Sequence, residues 1–232
     1  LLTVLNALDE ERAKLEDAEL KKSVTHKYFA FSLEHTLTCK TCNHQRVFSE
    51  EYLDLSVELG GLLDEREDVS KNAAMPLDLL SVLRHFLRRE DDVEWKCPAV
   101  DCAANVASME HRLSSLPQVL LLHLKRFVYN EKTDVFEKCT LPVEIPLRLD
   151  LAPLLSPNAP VPAGISTTFI VRAVVMHLGP TIRSGHYVCH VRNNNHTWTK
   201  YNDSLVAVSN VRDSLNGPDA AKNAYLLFYE RE

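Results

Sequence analysis

Two close cysteine pairs constrain this chain more than any other feature. Cys39 and Cys42 have C-x2-C spacing, Cys97 and Cys102 have C-x4-C spacing, and a long stretch separates the pairs. A short segment can bend two thiolates towards one tetrahedral ion at about 2.3 Å, so two such pairs can close a four-sulfur site and tie distant strands together. The ion expected is zinc in a structural role, because four sulfurs leave no open position. His44 and Asp101 lie beside the pairs, but a thiolate-only site needs neither. A secreted disulfide framework would be shorter and denser in cysteine than six in 232 residues. Paired free thiols point instead to a reducing compartment, cytosolic or nuclear. Cys139 and Cys189 stand alone in apolar, strand-like stretches.

Length and composition narrow the class. At 232 residues the chain can bury a sizeable core, and 45% hydrophobic with 25% charged residues is ordinary for a globular protein. No apolar run approaches the ~20 residues that span a bilayer. Leu1 to Val4 lack the basic region of a signal peptide. A net charge of −6 without a basic stripe argues against a nucleic-acid partner. The opening on Leu1 leads us to expect a piece of a longer protein.

Apolar spacing predicts a helix over Leu1 to about Ser23. Strands are expected at Tyr28–Leu37 and Arg46–Leu59, on either side of the first cysteine pair. The charged run Asp64–Asp68 reads as a solvated loop. Pro76 marks an expected helix start, followed by about three amphipathic turns carrying Leu79, Leu80, Leu83, Phe86 and Leu87. Val119–Phe127 reads as a strand buried on both faces. Pro153–Thr168, with four prolines, reads as a mobile surface loop. A closing series of strands is expected at Phe169–Leu178, Gly185–Arg192, Trp198–Asn202 and Ala224–Tyr229. The whole is a sheet-rich α+β fold with no linker between independent domains.

The most informative stretch is Ser184-Gly185-His186-Tyr187, followed after an Asn-rich turn by Trp198-Thr199-Lys200-Tyr201-Asn202-Asp203. The two runs form a hairpin. A turn centred on Asn194 sets His186 opposite Asn202; a turn centred between Asn194 and Asn195 sets it opposite Asp203. The first also pairs Tyr187 with Tyr201, which favours it. An imidazole held by an amide or carboxylate oxygen is the base and orienting half of a catalytic triad. Gly185 beside it lets a backbone or substrate approach closely.

These residues carry a resemblance. Ser184–Tyr187 with Trp198–Ser204 resembles the histidine box of the ubiquitin-specific proteases. Leu116–Phe127 and Asn223–Tyr229 resemble two further signatures of that family, and the cysteine pairs resemble its zinc ribbon. The matches occur in the family's order and cover nearly the whole chain. The resemblance implies a papain-like fold of thumb, palm and fingers: residues 1–24 ending the thumb, 25–115 mainly fingers and 116–232 mainly palm. It also implies cysteine-type hydrolysis of the bond after ubiquitin's C-terminal glycine, with ubiquitin and ubiquitinated proteins as partners and with neither nucleic acid nor membrane. His186 falls on the base and Asn202 on the third triad position, with Asp203 assisting or replacing it. Gly185 and Tyr187 are expected to line the substrate. Residues 153–168 and 179–184 match two loops beside the channel for ubiquitin's tail.

The family's nucleophile lies in a cysteine motif of the thumb. Four cysteines here belong to the zinc reading, Cys189 points away from the face of His186, and Cys139 has no matching motif. The nucleophile is therefore expected upstream of these residues, and this chain alone is expected to be inactive. Two rival readings are a ubiquitin-binding scaffold without catalysis and a zinc-ribbon module unrelated to ubiquitin. The histidine hairpin argues against both.

Overall fold

Burial alternates strictly along Phe31–Cys39, whereas Gln45–Tyr52 and Leu205–Ser209 are exposed at most positions and Val119–Lys125 is buried at three consecutive ones. The structure, a computed structural model, describes residues 7, 10, 24–60, 62, 75–130, 134–160, 164–181 and 184–232. The helix expected over residues 1–23, apart from Ala7 and Glu10, and the charged run 64–68 lie outside the described residues.

Helix α1 (Val24–Phe29) precedes strands β1 (Phe31–Cys39), β2 (Gln45–Tyr52), β3 (Leu55–Glu58) and β4 (Leu77–Asp78). Helix α2 (Leu79–Phe86) leads to β5 (Glu90–Glu94), β6 (Val106–Leu113), β7 (Val119–Lys125) and β8 (Phe127–Asn130). Strands β9 (Val135–Lys138), β10 (Val143–Glu144) and β11 (Arg148–Asp150) follow, then a 3-10 turn at Ala152–Leu154. The chain continues through β12 (Thr168–Thr181), β13 (Ser184–Arg192), β14 (Trp198–Asn202) and β15 (Leu205–Ser209). Helices α3 (Val211–Leu215) and α4 (Pro218–Asn223) lead into β16 (Ala224–Arg231). No helix among the described residues is long and apolar enough to cross a membrane.

The chain forms two compact units, each assembled from three stretches. The first takes the residues up to Leu53 together with Leu87–Gln118 and Leu151–Thr167. Its sheet is antiparallel in the order β2-β1-β6-β5. Strand β1 alternates strictly, burying Phe31, Leu33, His35, Leu37 and Cys39 on one face. Beyond β5 the hairpin continues, with Trp95 N–H donating to Asn105 O and Cys97 N–H to Ala104 O. The second cysteine pair is thereby carried to the same end of the sheet as Cys39.

The second unit takes Asp54–Phe86, Val119–Asp150 and Thr168–Glu232. Its sheet runs β15-β14-β13-β12-β16-β7-β3, with β11 added alongside β12; β3 and β7 are parallel and the other pairs antiparallel. Trp198, Tyr229, Phe169 and Leu120 to Leu122 are buried in its core. Arg126 is buried there too, with no exposed surface. It donates to the carbonyls of Ala224 (2.6 Å), Cys139 (3.2 Å), Leu141 (2.9 Å) and Ala221 (2.9 Å). Burial lowers its pKa to about 10. Arg126→Met would leave several buried carbonyls unpaired, and is expected to destabilise this unit by about 3 kcal/mol or more. Urea unfolding followed through Trp198 measures the change; an unchanged midpoint would contradict the assignment.

Several expectations are corrected. The strand expected from Tyr28 starts at Phe31, because α1 holds Tyr28 and closes with Ala30 N–H on His26 O at 3.1 Å. Arg46–Leu59 is two strands rather than one, since the boundary between the units falls between Leu53 and Asp54. Helix α2 has eight residues and starts at Leu79, not at Pro76. Leu77 and Asp78 are taken by parallel pairing with Val143 and Glu144, and Asp78 caps the helix by accepting from Ser81 N–H at 2.9 Å. Strand β15 and helices α3 and α4 fill a region with no expected element. The first half of 153–168 is anchored rather than free: Ser156 is buried and donates to Glu34 at 2.6 Å, while its N–H meets Leu113 O at 2.8 Å.

Candidate active site and metal centre

The histidine hairpin is β13 and β14. Asn193 and Thr197 close its turn, with Asn193 N–H on Thr197 O at 2.8 Å and His196 N–H on Asn193 O at 2.9 Å. His196 takes the left-handed conformation at φ 68°, as the last residue of a three-residue hairpin loop commonly does. The turn is therefore centred on Asn195, and the ladder pairs Cys189 with Tyr201 and Arg192 with Trp198. Neither expected register holds, and Tyr187 does not pair with Tyr201. The turn lies one residue beyond a centre on Asn194, which moves every partner by two. Because side chains alternate with period two, Asn202 stays on the face of His186 as a diagonal neighbour.

His186 Nε2 and Asn202 Oδ1 are hydrogen-bonded. An amide oxygen only accepts, so the bond places the ring proton on Nε2 and leaves Nδ1 with its lone pair. Nδ1 has no partner among the described residues. Asp203 Oδ2 lies 3.8 Å from Nε2 and its side chain is 80% exposed. Asp203 sits in the two-residue turn between Asn202 and Leu205 at φ 50°, a conformation aspartate tolerates better than most residues. Its place in the chain thus follows from the turn, and its charge acts on the ring weakly through water.

A packed neighbourhood supports the histidine. Its strand partner is Leu178, beside His177. A Cβ on Gly185 would come within 2.2 Å of His177 Nε2, so the close approach that this glycine permits is filled by an imidazole of the same fold. Tyr187, on the opposite face from His186, packs against His177 and Tyr225 with ring centres 4.8 and 6.1 Å away and keeps 54% exposure. Burial, and then Lys138, lower the pKa of His177. The sequence reading missed His177, Lys138 and Tyr225 as neighbours of the site. Tyr225 lies inside one of the quoted signatures, but no local spacing marks the other two.

The four paired cysteines come together at the end of the first unit's sheet. Their sulfurs all lie within 4.8 Å of one another, with Cys39 to Cys102 at 3.8 Å and Cys42 to Cys97 at 3.6 Å. A disulfide needs about 2.05 Å, whereas a tetrahedral ion bound at about 2.3 Å sets sulfurs about 3.8 Å apart. The four thiols therefore fit a metal ion. Two left-handed residues make the bends: Asn43 (φ 59°) in the first knuckle and Asp101 (φ 65°) in the second, where it absorbs the wider spacing. The N–H groups of Cys42 and Thr41 lower the Cys39 thiol to about 6, and burial pushes Cys97 up to about 12. His44 stacks on Trp95 at 6.3 Å, outside the four-sulfur set.

The remaining thiols lie elsewhere. Cys189 is on β13 three residues from His186, on the other face, and burial raises its pKa. Cys139 is buried, and its carbonyl accepts from Arg126.

Comparison with known proteins agrees across sequence and structure. The family described as ubiquitin carboxyl-terminal hydrolase matches residues 1–229. "Ubiquitin carboxyl-terminal hydrolase nonstop" of Drosophila melanogaster is 27% identical over 206 residues, which cover 88% of this chain and 38% of that protein. "Ubiquitin carboxyl-terminal hydrolase 21" of Arabidopsis thaliana is 32% identical over 211 residues, covering 90% of this chain and 26% of that protein. A SAGA DUB module bound to ubiquitin aldehyde superposes with a TM-score of 0.78 at 24% identity, over 100% of this chain and 48% of that one. A yeast SAGA DUB module gives 0.78 at 22%, over 100% and 49%. The chain thus spans between a quarter and two-fifths of these relatives and about half of the solved chains. The structural likeness shows the fold, a papain-like α+β fold. On the match over residues 1–229, the chain belongs to the ubiquitin carboxyl-terminal hydrolase family.

Proposed function

We propose that the protein containing these residues is a cysteine-type deubiquitinase of the cytoplasm or nucleus, in which this chain supplies the base, the orienting residue and a structural zinc site. The observation that carries the reading is the imidazole of His186, held at Nε2 by Asn202 with Nδ1 left open. A thiol supplied from outside these residues gives its proton to Nδ1, and the thiolate attacks the carbonyl carbon of ubiquitin's terminal glycine. The imidazolium then protonates the departing amine, leaving ubiquitin joined to sulfur as a thioester. Water, deprotonated by the neutral ring, releases the carboxylate and restores the thiol. Asn202 keeps the ring aligned through each transfer, and Asp203 adds a screened attraction for the imidazolium. Donors to the oxyanion would come from the segment that carries the thiol.

Cys39, Cys42, Cys97 and Cys102 would hold the zinc as thiolates, which fits a reducing compartment. The ion would bring the strand ends together, and no step of the hydrolysis passes through it. Ubiquitin conjugates are the substrates proposed, in line with the family and with the ligand named for a solved relative.

The test is covalent labelling by ubiquitin bearing a C-terminal electrophile. The 232-residue chain is expected not to label, and the full-length protein is expected to label at one cysteine outside it. Failure of the full-length protein to label would favour a ubiquitin-binding scaffold. Labelling at Cys139 or Cys189 would show that the site is misplaced.

A further inference from the structure

The strand that carries His186 is held on its far side by an unusual arrangement. Strand β12 lies between β13 and β16, but its ladder with β16 ends at Met176 and Ala224, two residues short of Leu178, the partner of His186. Beyond that point the carbonyls of His177 and Gly179, two residues apart, point to the edge that β16 has left. Lys138 occupies this edge. Its ammonium donates to His177 O at 2.6 Å, to Gly179 O at 2.8 Å and to the side-chain oxygen of Asn223, the residue before β16, at 2.7 Å. An ammonium has three N–H donors, and all three are used. Lys138 thus stands in for the missing strand.

The ladder between β12 and β13 is irregular between Leu178 and Thr181. Gly179 is at φ +135°, and a Cβ there would lie 2.7 Å from Gly185 Cα. Two glycines face each other at this point, so no side-chain contact between them sets the register; the packing of His177 on Tyr187 lies on the opposite face from His186, and a one-residue slip would turn His186 off the face of Asn202.

We infer that Lys138 is a positioning residue for His186: by clamping the carbonyls on both sides of Leu178 it fixes the register that brings the imidazole to Asn202. The inference rests on reading His186 as the base, but its geometric part can be tested without activity.

The experiment is Lys138→Met in the full-length protein, which keeps the length of the side chain and removes its donors. With nitrogen-15 histidine, the His186 resonances, assigned by their loss in His186→Gln, should show one tautomer protonated at Nε2 in the unmodified protein. In Lys138→Met they should show averaged tautomers, with Trp198 fluorescence unchanged. A single Nε2–H tautomer in the variant would overturn the inference. If Lys138→Met disturbs Trp198, Asn223→Ala decides, since it removes one anchor of three: a loosened tautomer supports the clamp and an unchanged one overturns it. In turnover of a ubiquitin reporter, Lys138→Met should lower kcat about 10–100-fold with KM within about twofold, the signature of misplaced chemistry. A raised KM with kcat kept would overturn it. If the unmodified protein proves inactive, the deubiquitinase reading fails, and the tautomer measurement alone decides the role of Lys138.

Discussion

Replacing His186 by alanine in the full-length protein is expected to lower turnover of a ubiquitin C-terminal reporter by at least about three orders of magnitude, while ubiquitin affinity changes little. Without the imidazole the thiol stays protonated near neutral pH and the leaving amine has no acid. The fold should tolerate the change, because the side chain is 42% exposed and makes one hydrogen bond, to a partly exposed partner. Asn202→Ala should cost more activity than Asp203→Ala, since Asn202 bonds to the ring and Asp203 lies 3.8 Å away and mostly in water. Steady-state kinetics of the three variants, beside ubiquitin binding, check this. Residual activity of more than a few per cent in His186→Ala would remove it from the role of base, and a larger loss at Asp203 would reverse the assignment of the third group.

Removal of metal is expected to unfold the first unit. Structural zinc in small thiolate sites contributes about 10–16 kcal/mol at neutral pH, against about 5–15 kcal/mol for the whole stability of a typical domain. The four thiols join the end of β1 to the extended β5–β6 hairpin, so loss of the ion frees both. The purified protein should contain one zinc per chain. A strong chelator, or Cys39→Ser, should change the fluorescence of Trp95, which lies two residues before Cys97 and stacks on His44. Trp198, buried in the second unit, should change much less. Metal analysis and the two tryptophan signals, separated by single Trp→Phe variants, make the measurement. A metal-free protein with both signals native would exclude a structural ion.

What could be read from the sequence was local or set by parity. The two cysteine pairs could be recognised because each forms within a few residues, and only the meeting of the pairs needed the sheet. The register that sets Asn202 directly opposite His186 is not the one formed, yet the two residues still meet: the true turn, centred on Asn195, moves every partner by two and so keeps Asn202 on the same face. The turn itself depends on His196 adopting a left-handed conformation, which histidine enters more readily than most residues but which no composition rule assigns to it rather than to the neighbouring asparagines.

Contacts far apart in sequence were decided only by the tertiary structure. Arg126 lay inside a recognised signature, yet its role as a buried clamp on four carbonyls depends on residues 13 to 98 positions away. Lys138 reads as an ordinary surface lysine until β16 stops short of His177 and leaves two carbonyls without a strand. Ser156, in what read as a free loop, is tied down by Glu34 across 122 residues. Periodicity shows which face of a strand is buried, because that depends on its own alternation. It does not show which distant group meets that face, because backbone donors and acceptors are alike at every position and only the assembled topology determines which of them lack a partner.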